Sequence, residues 1–294
     1  FMKKLLLLFL LAFLAVPIAS AEESVVTLTT TLDEGASIKL YTWADSMDDA
    51  FTIDWGDGVE KIYNKVKPSW TYGSEITGKL GASKTITIKG DITYLEIKEM
   101  QISAATFANT KLKEVDMEKN QLTDFNLSGL PEVTKLSLNE NSIVTFSSTG
   151  NSVLKNLGLK SNKIDSHQFE ISSLANSLEQ LNVSENGENF VALNLINFDK
   201  LQYFTANDNP ELTTVVFYDG STNLKQISMN NCHIMHFYAI SLPNLNSLNL
   251  SNNALLDFEN GTYPNLSTLS VNGNYLSEID VTKFPKLFSF DCSS

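Results

Sequence analysis

The chain has 294 residues, with 21 lysines, no arginine, 34 acidic residues and a formal net charge of −13. A hydrophobic fraction of 43% is enough for a packed core, which argues against wholesale disorder. Recognition of nucleic acid depends on arginines and basic patches, so this composition excludes nucleic acid as a partner. Two cysteines cannot form a disulfide framework, so we expect the stability to come from burial.

The first 21 residues have the three parts of a secretory signal peptide. Lys3 and Lys4 precede an apolar run over residues 5–16, and small residues at 19–21 follow Pro17. This pattern predicts cleavage after Ala21 and export of the mature chain. A retained membrane anchor is disfavoured because an apolar run of twelve residues is too short to cross a bilayer. No later segment has the roughly 18 apolar residues that a span needs, so we expect no membrane span in the mature chain.

Residues 22–90 lack any repeat and carry the signals of a separate β module. Thr- and Val-rich segments at 25–32, 38–41, 51–53 and 85–89 predict strands. Between them, the sequence IDWGDG at 53–58 predicts a strand that runs into a tight glycine turn. This hexapeptide is similar to the WGDG-type turn of polycystic-kidney-disease-like immunoglobulin folds, and the resemblance implies a small β-sandwich. We expect the module to cap the repeats that follow it, with the strand at 85–89 covering the open edge of their sheet.

A repeat of 20 to 24 residues organises residues 91–294. Ten copies of the pattern LxxLxLxxNxL begin at residues 92, 112, 133, 154, 178, 201, 224, 245, 266 and 287. Alternation of apolar and polar residues at the fourth to sixth positions predicts a short strand with one side buried. One copy buries too little surface by itself, so the copies must stack and pair their strands in parallel.

The ninth position of the repeat carries asparagine in seven copies. These residues form a predicted structural ladder of Asn120, Asn141, Asn162, Asn186, Asn209, Asn253 and Asn274. Their amides should point inward and satisfy backbone groups of adjacent repeats that water cannot reach. The short period and the prolines that stand two residues before several strands favour extended or single-turn returns over long helices. We expect one helical turn near residues 168–174, in the longest copy.

These repeats resemble the leucine-rich repeats of secreted and surface proteins of bacteria, of which internalins are the familiar type, over about two thirds of the chain. The resemblance implies an α/β-type solenoid dominated by β-structure. This would be a right-handed leucine-rich repeat solenoid with a parallel β-sheet on its concave face, mostly extended returns and a small all-β module in front. It also implies protein binding at a cell or host surface. Internalins carry a helical N-terminal cap, which this sequence lacks, so the resemblance does not extend to a particular internalin ligand.

The tenth copy stops one residue before its ladder position. Solenoids need terminal repeats with a polar outer face to stay soluble. We therefore expect the protein to continue beyond Ser294 into further repeats, a cap or an anchoring domain.

Few residues are arranged for chemistry. Cys232, His233 and His236 superficially resemble a metal-binding trio, but Cys232 occupies the ladder position and should point inward. Cys292 lies three repeats further on, at roughly 14 Å, which is too far for a disulfide. Asp54 and Asp57 suit either a calcium ion or, more simply, turn geometry and solubility. No nucleophile, phosphate loop or dinucleotide motif appears, so we predict no enzyme, no catalytic residue, no metal and no cofactor.

We expect the outward residues of the repeat strands to form a concave binding face. The candidates are Tyr94, Glu96, Glu114, Asp116, Gln180, Asn182, Tyr203, Thr205, Gln226, Ser228, Ser247, Asn249, Thr268 and Ser270. The face begins charged and becomes small, neutral and polar, and only Tyr94 and Tyr203 are of the types that dominate interfaces. A soluble face that binds no partner tightly is therefore the alternative.

The sequence predicts an exported, monomeric, non-enzymatic leucine-rich repeat protein that mediates protein–protein interaction or adhesion at the cell surface. The alternative is a carbohydrate-binding or docking module of a larger surface enzyme or assembly. Glycan platforms are usually aromatic, and the three tryptophans, Trp43, Trp55 and Trp70, all lie in the β module.

Overall fold

The computed structural model describes residues 22–46, 49–64, 75–217, 222–237, 242–258, 261 and 263–293. The predicted signal peptide and Trp70 lie outside these residues. The strands in chain order are β1 (Val25–Thr30), β2 (Ser37–Ala44), β3 (Phe51–Asp54), β4 (Glu60–Tyr63), β5 (Ile76–Lys79), β6 (Thr85–Lys89), β7 (Ile92–Glu96), β8 (Ile102–Ala108), β9 (Glu114–Asp116), β10 (Asp124–Asn126), β11 (Lys135–Ser137), β12 (Thr145–Ser147), β13 (Asn156–Gly158), β14 (Phe169–Glu170), β15 (Gln180–Asn182), β16 (Ala192–Asn194), β17 (Tyr203–Thr205), β18 (Thr214–Val216), β19 (Gln226–Ser228), β20 (Ser247–Asn249), β21 (Thr268–Ser270) and β22 (Ser289–Asp291).

Each repeat contributes one short strand to a twelve-stranded sheet, which we call the concave sheet. From β7 onward its strands run parallel and in register, so that Leu157 lies between Leu136 and Leu181 on the adjacent strands. The middle residue of a strand points into the solenoid while its two flanking residues point outward. Leu248 and Leu269, the middle residues of two late strands, are therefore fully buried. This architecture confirms the predicted leucine-rich repeat solenoid.

Side-chain amides connect successive turns on the inside of the solenoid. Asn162 donates to the carbonyls of Leu138 in the preceding repeat (3.0 Å) and Leu159 in its own repeat (3.1 Å). Its Oδ1 accepts from the backbone N–H of Ile143 at 3.0 Å. The other ladder asparagines, Asn120, Asn141, Asn186, Asn209, Asn253 and Asn274, make the same kinds of bond. They replace backbone hydrogen bonds at the point where each strand ends and the chain turns.

The residue that precedes each ladder position has a left-handed backbone conformation, and the strand segment ends there. Eight such residues have φ between 53° and 59°, namely Glu99, Lys119, Glu140, Ser161, Glu185, Asp208, Asn231 and Asn252. This backbone conformation is costly for residues other than glycine. It directs the next side chain inward, so the ladder bonds offset the strain.

The return segments are extended, with almost no helix. The return strands β10, β12 and β14 form one short parallel sheet, and β16 and β18 form another. In the longest repeat, single 3₁₀ turns at Ser166–Gln168 and Ser172–Leu174 stand where one helical turn was expected. A third 3₁₀ turn spans Val281–Lys283. No helix among the described residues is long and apolar enough to cross a membrane.

Strands of the N-terminal module pair with strands of the first repeat in two different sheets. Strand β2 pairs antiparallel with β7 and so extends the concave sheet, with β5 beyond it. Strand β8, in the first return, pairs antiparallel with β1 in a five-stranded sheet of order β4-β3-β6-β1-β8. The prediction that the strand at 85–89 covers the open edge was wrong. That strand, β6, is paired on both of its edges, with β1 and β3, so it has no free edge to offer the repeats.

Candidate binding face

The outward residues of the concave sheet form two rows, one on each side of the buried middle residues. The first row contains Tyr94, Glu114, Gln180, Tyr203, Gln226, Ser247 and Thr268, and the second contains Glu96, Asp116, Asn182, Thr205, Ser228, Asn249 and Ser270. All fourteen predicted residues therefore lie on one face. None of these side chains is fully buried.

Charged residues concentrate at the N-terminal end of this face. Lys98 lies 2.6 Å from Asp116 and 3.5 Å from Glu118. Glu118 also accepts hydrogen bonds from Ser137 and Asn139. Three repeats are therefore linked by one polar network.

The two carboxyls of this network respond differently to their surroundings. Burial raises the pKa of Asp116, and the contact with Lys98 does not reverse the shift. Burial also acts to raise the pKa of Glu118, but hydrogen bonds from Ser137 and Asn139, together with Lys98, bring that pKa below its usual value. The cost of burying the charged form is therefore less well offset at Asp116 than at Glu118.

An aromatic pair begins the face. The rings of Trp43 in β2 and Tyr94 in β7 stack with centroids 3.9 Å apart and planes 5° from parallel. The Tyr94 hydroxyl donates to Glu96 at 2.5 Å, and burial raises the pKa of this phenol above its usual range. Trp43 was not predicted to belong to this face because it lies in a different part of the sequence. The one local signal is that Trp43 stands between the buried residues Thr42 and Ala44, so it must point to the opposite side of the strand.

A groove of about 440 Å³ runs over strands β9 to β15, with Tyr94 at one end and Tyr203 at the other. Its outward lining comprises Tyr94, Glu114, Asp116, Lys135, Ser137, Asn156, Gly158, Gln180, Asn182, Tyr203 and Thr205. In the second row, Gly158 stands between Ser137 and Asn182 and contributes no side chain. The row is therefore interrupted in the middle of the groove.

Tyr203 lies between Gln180 and Gln226 on the neighbouring strands, as the repeat register predicts. The ammonium of Lys225 lies 5.9 Å from the centroid of its ring. This contact is within the range of a cation–π interaction and restrains the ring. Tyr203 thus offers a partly exposed aromatic surface at low entropic cost.

The cysteine and histidine residues have separate surroundings. Cys232 occupies the ladder position and its Sγ donates to the carbonyl of Ala206 at 3.1 Å. Burial raises the pKa of this thiol to about 11. His236 Nδ1 lies 3.2 Å from Asp257 Oδ1, and Cys292 is an exposed free thiol. Within the described part of the chain, no three His, Cys, Asp or Glu side chains are placed to hold a metal ion.

The aspartates of the N-terminal turn bond to their own backbone. Asp54 Oδ1 accepts from the N–H groups of Gly56 (2.8 Å) and Gly58 (3.0 Å), and Asp57 Oδ1 accepts from Val59. These bonds are those of a turn, which favours the simpler interpretation over a calcium site. Trp55 is completely buried, so it does not form a platform for a glycan.

No protein-family model matches the sequence, and no curated protein matches it. Among solved structures, the chain is similar to the functional domain of InlJ from Listeria monocytogenes, which includes a cysteine ladder, at 22% identity and a TM-score of 0.55. The match covers 72% of this chain and 47% of that one, so the chain spans about half the length of the InlJ domain. The internalin InlF from the same organism matches at 20% identity and a TM-score of 0.42, over 69% of this chain and 67% of that one. The chain therefore has the fold of a leucine-rich repeat solenoid with internalin-like repeats.

Proposed function

We propose that this chain is an exported, non-enzymatic leucine-rich repeat protein that mediates protein–protein interaction or adhesion at the cell surface. The observation that carries the proposal is the outward face of the concave sheet. Ten repeat strands present two rows of side chains on one face, with a groove between two tyrosines. An open polar face with aromatic anchors suits binding of a second protein better than chemistry.

Export is part of the proposal and rests on the sequence of residues 1–21. The division into a signal peptide (1–21), a β module (22–90) and repeats (91–294) is likewise proposed. In this division the β module caps the solenoid, because β2 and β8 tie the two regions together through both sheets. We further propose that the mature chain acts as a monomer.

Protein binding is preferred to glycan binding because of where the aromatic residues lie. Trp55 is buried in the module, and Trp43 is stacked on Tyr94 at the end of the concave face. A glycan platform in the module would need a tryptophan ring that is open to solvent. Of the tryptophans that the structure describes, Trp55 belongs to the core and Trp43 to the concave sheet.

The test is capture of a partner by the mature chain from extracellular material, followed by mass spectrometry. The same capture is repeated with Tyr203→Ala and with Thr268→Ala, which removes a side chain of the same row far from the groove. We expect specific proteins that the wild type and Thr268→Ala retain and that Tyr203→Ala loses. Capture of glycans without protein, or retention that is insensitive to Tyr203→Ala, would contradict the proposal.

A further inference from the structure

Lys225, directly before β19, lacks the acidic partner that other lysines beside the repeat strands of the concave sheet have. The other described lysines on these strands, or within two residues of them, each form an ion pair, namely Lys98, Lys113, Lys135, Lys155 and Lys160. Lys225 forms no ion pair with any residue that the structure describes. Its ammonium instead donates to Gln202 Oε1 at 2.8 Å and lies 5.9 Å from the centroid of the Tyr203 ring. Its charge is therefore not neutralised within the described chain.

The other side chains around Tyr203 do not balance this charge. In the position that Lys225 occupies, but two repeats earlier, Glu179 is neutralised by Lys155 at 3.0 Å. The outward residues on the two strands that flank β17 are all neutral, namely Gln180, Asn182, Gln226 and Ser228. The chain as a whole carries −13, so the surroundings of Tyr203 are locally positive on an acidic protein.

The amides beside Tyr203 have their acceptor oxygens occupied and their donors available. Gln202 Oε1 accepts from Lys225, and Gln180 Oε1 accepts from Asn156 Nδ2 at 2.7 Å. In the described part of the chain, no residue accepts a hydrogen bond from the Nε2 group of either glutamine or from the Tyr203 hydroxyl. Donors therefore outnumber acceptors at this point of the face. An ionised carboxylate is the side chain that only accepts, so it matches this arrangement.

We infer that an aspartate or glutamate side chain of the partner protein binds at Lys225, Gln202 and Tyr203. This inference rests on the proposed function and specifies the chemistry of its partner. Lys225 supplies a charge-assisted hydrogen bond, Gln202 donates a second one, and the ring of Tyr203 contacts the apolar part of the partner. The net charge of the chain repels an acidic partner at long range, but physiological salt screens exposed charges more than about 8 Å apart. Contacts at the site therefore decide the affinity.

The test uses the full mature chain and three fluorescent twelve-residue peptides in one Gly/Ser background. Each peptide has a central tryptophan to contact Tyr203, with two glutamates, two glutamines or two lysines on either side of it. Binding is followed by fluorescence anisotropy at physiological salt. The glutamate peptide should bind at least about threefold more tightly than the other two. Equal binding of the three peptides, tighter binding of the lysine peptide or no binding of the glutamate peptide would overturn the inference.

Three variants locate the binding, and melting curves report whether each is folded. Lys225→Gln removes the charge and should weaken binding of the glutamate peptide about threefold or more, while binding of the glutamine peptide stays within about 1.5-fold. Lys225→Arg keeps the charge and should retain most of the affinity. Lys163→Gln removes an equal charge from an exposed lysine outside the concave sheet, so binding should stay within about 1.5-fold. Equal losses of the glutamate and glutamine peptides on Lys225→Gln would show that the lysine only restrains the Tyr203 ring, which would overturn the inference.

The outcomes also separate this inference from the proposed function. Equal losses on Lys225→Gln and Lys163→Gln would show that attraction is non-specific and would overturn the inference. A captured protein whose binding is lost on Tyr203→Ala but unchanged by Lys225→Gln would leave the proposed function standing while contradicting the acidic side chain.

Discussion

The two ends of the concave face have the same arrangement of strands but present different types of side chain. The early strands β7 and β9 present Tyr94, Glu96, Glu114 and Asp116, whereas the late strands β20 and β21 present Ser247, Asn249, Thr268 and Ser270. At the early end, ion pairs cross from repeat to repeat. At the late end, short side chains bond to nearby atoms, as when Asn249 accepts from the N–H of Ser251.

Beneath this difference the two ends are the same. Val115 and Leu248 both point inward, and Asn120 and Asn253 make equivalent bonds to backbone carbonyls. The inward residues hold the stack, so they are constrained at every repeat. The outward rows are free to vary, so the two ends of the face can differ in charge without changing the stack.

The largest expected effect concerns the shared interior. Leu136→Ala in the groove region and Leu248→Ala in the late region each remove a buried side chain, so each should lower the free energy of unfolding by roughly 2–5 kcal/mol. Urea unfolding of the two variants measures this. Ser247→Ala, beside Leu248 but outward, should change stability by less than about 0.5 kcal/mol. A loss confined to one region would show that the interior is not uniform.

The next effect concerns the ladder. Asn209 is fully buried and bonds to Val183, Ala206 and Asn186. Asn209→Ala should therefore cost about 2 kcal/mol, because buried backbone groups lose their partners. Gln226→Ala, on the exposed outer row, is the matched control. If both variants unfold at the same urea concentration as the wild type, the ladder does not stabilise the turns.

A smaller effect should appear only at the charged end. Lys98→Ala leaves Asp116 and Glu118 without their shared cation, and the exposure of these groups limits the loss to about 1 kcal/mol or less. The loss should shrink as salt is raised, because salt screens partly exposed charges. Ser228→Ala, in the neutral half, should show no salt dependence. A Lys98→Ala effect that is constant from low to high salt would point to packing of the lysine stem instead.

Much of the fold follows from local patterns. The register of the repeats, the inward position of Cys232 and the single turns within 166–174 all depend on periodicity and on the volume available to each turn. These features involve residues that are close in sequence or exactly one repeat apart. The sequence therefore contains enough information to predict them.

Pairing between distant segments was not predictable in the same way. Strand β2 and strand β6 have similar alternating patterns, and nothing local indicates that β2 borders the repeats while β6 lies in the middle of the other sheet. The stacking of Trp43 on Tyr94 depends on that choice. The outer rows could be predicted from the strand register. The groove and the network around Lys98 could not, because they depend on which side chains are neighbours in the folded chain.

If a protein binds the concave face as proposed, its affinity should depend on Tyr203. Isothermal titration of the captured partner into the wild type and Tyr203→Ala compares their affinities, with melting curves alongside. Because a central aromatic anchor carries much of the energy of an interface, Tyr203→Ala should weaken binding about tenfold or more without unfolding the protein. Unchanged affinity for a folded Tyr203→Ala variant would contradict binding of the partner at the middle of the concave face.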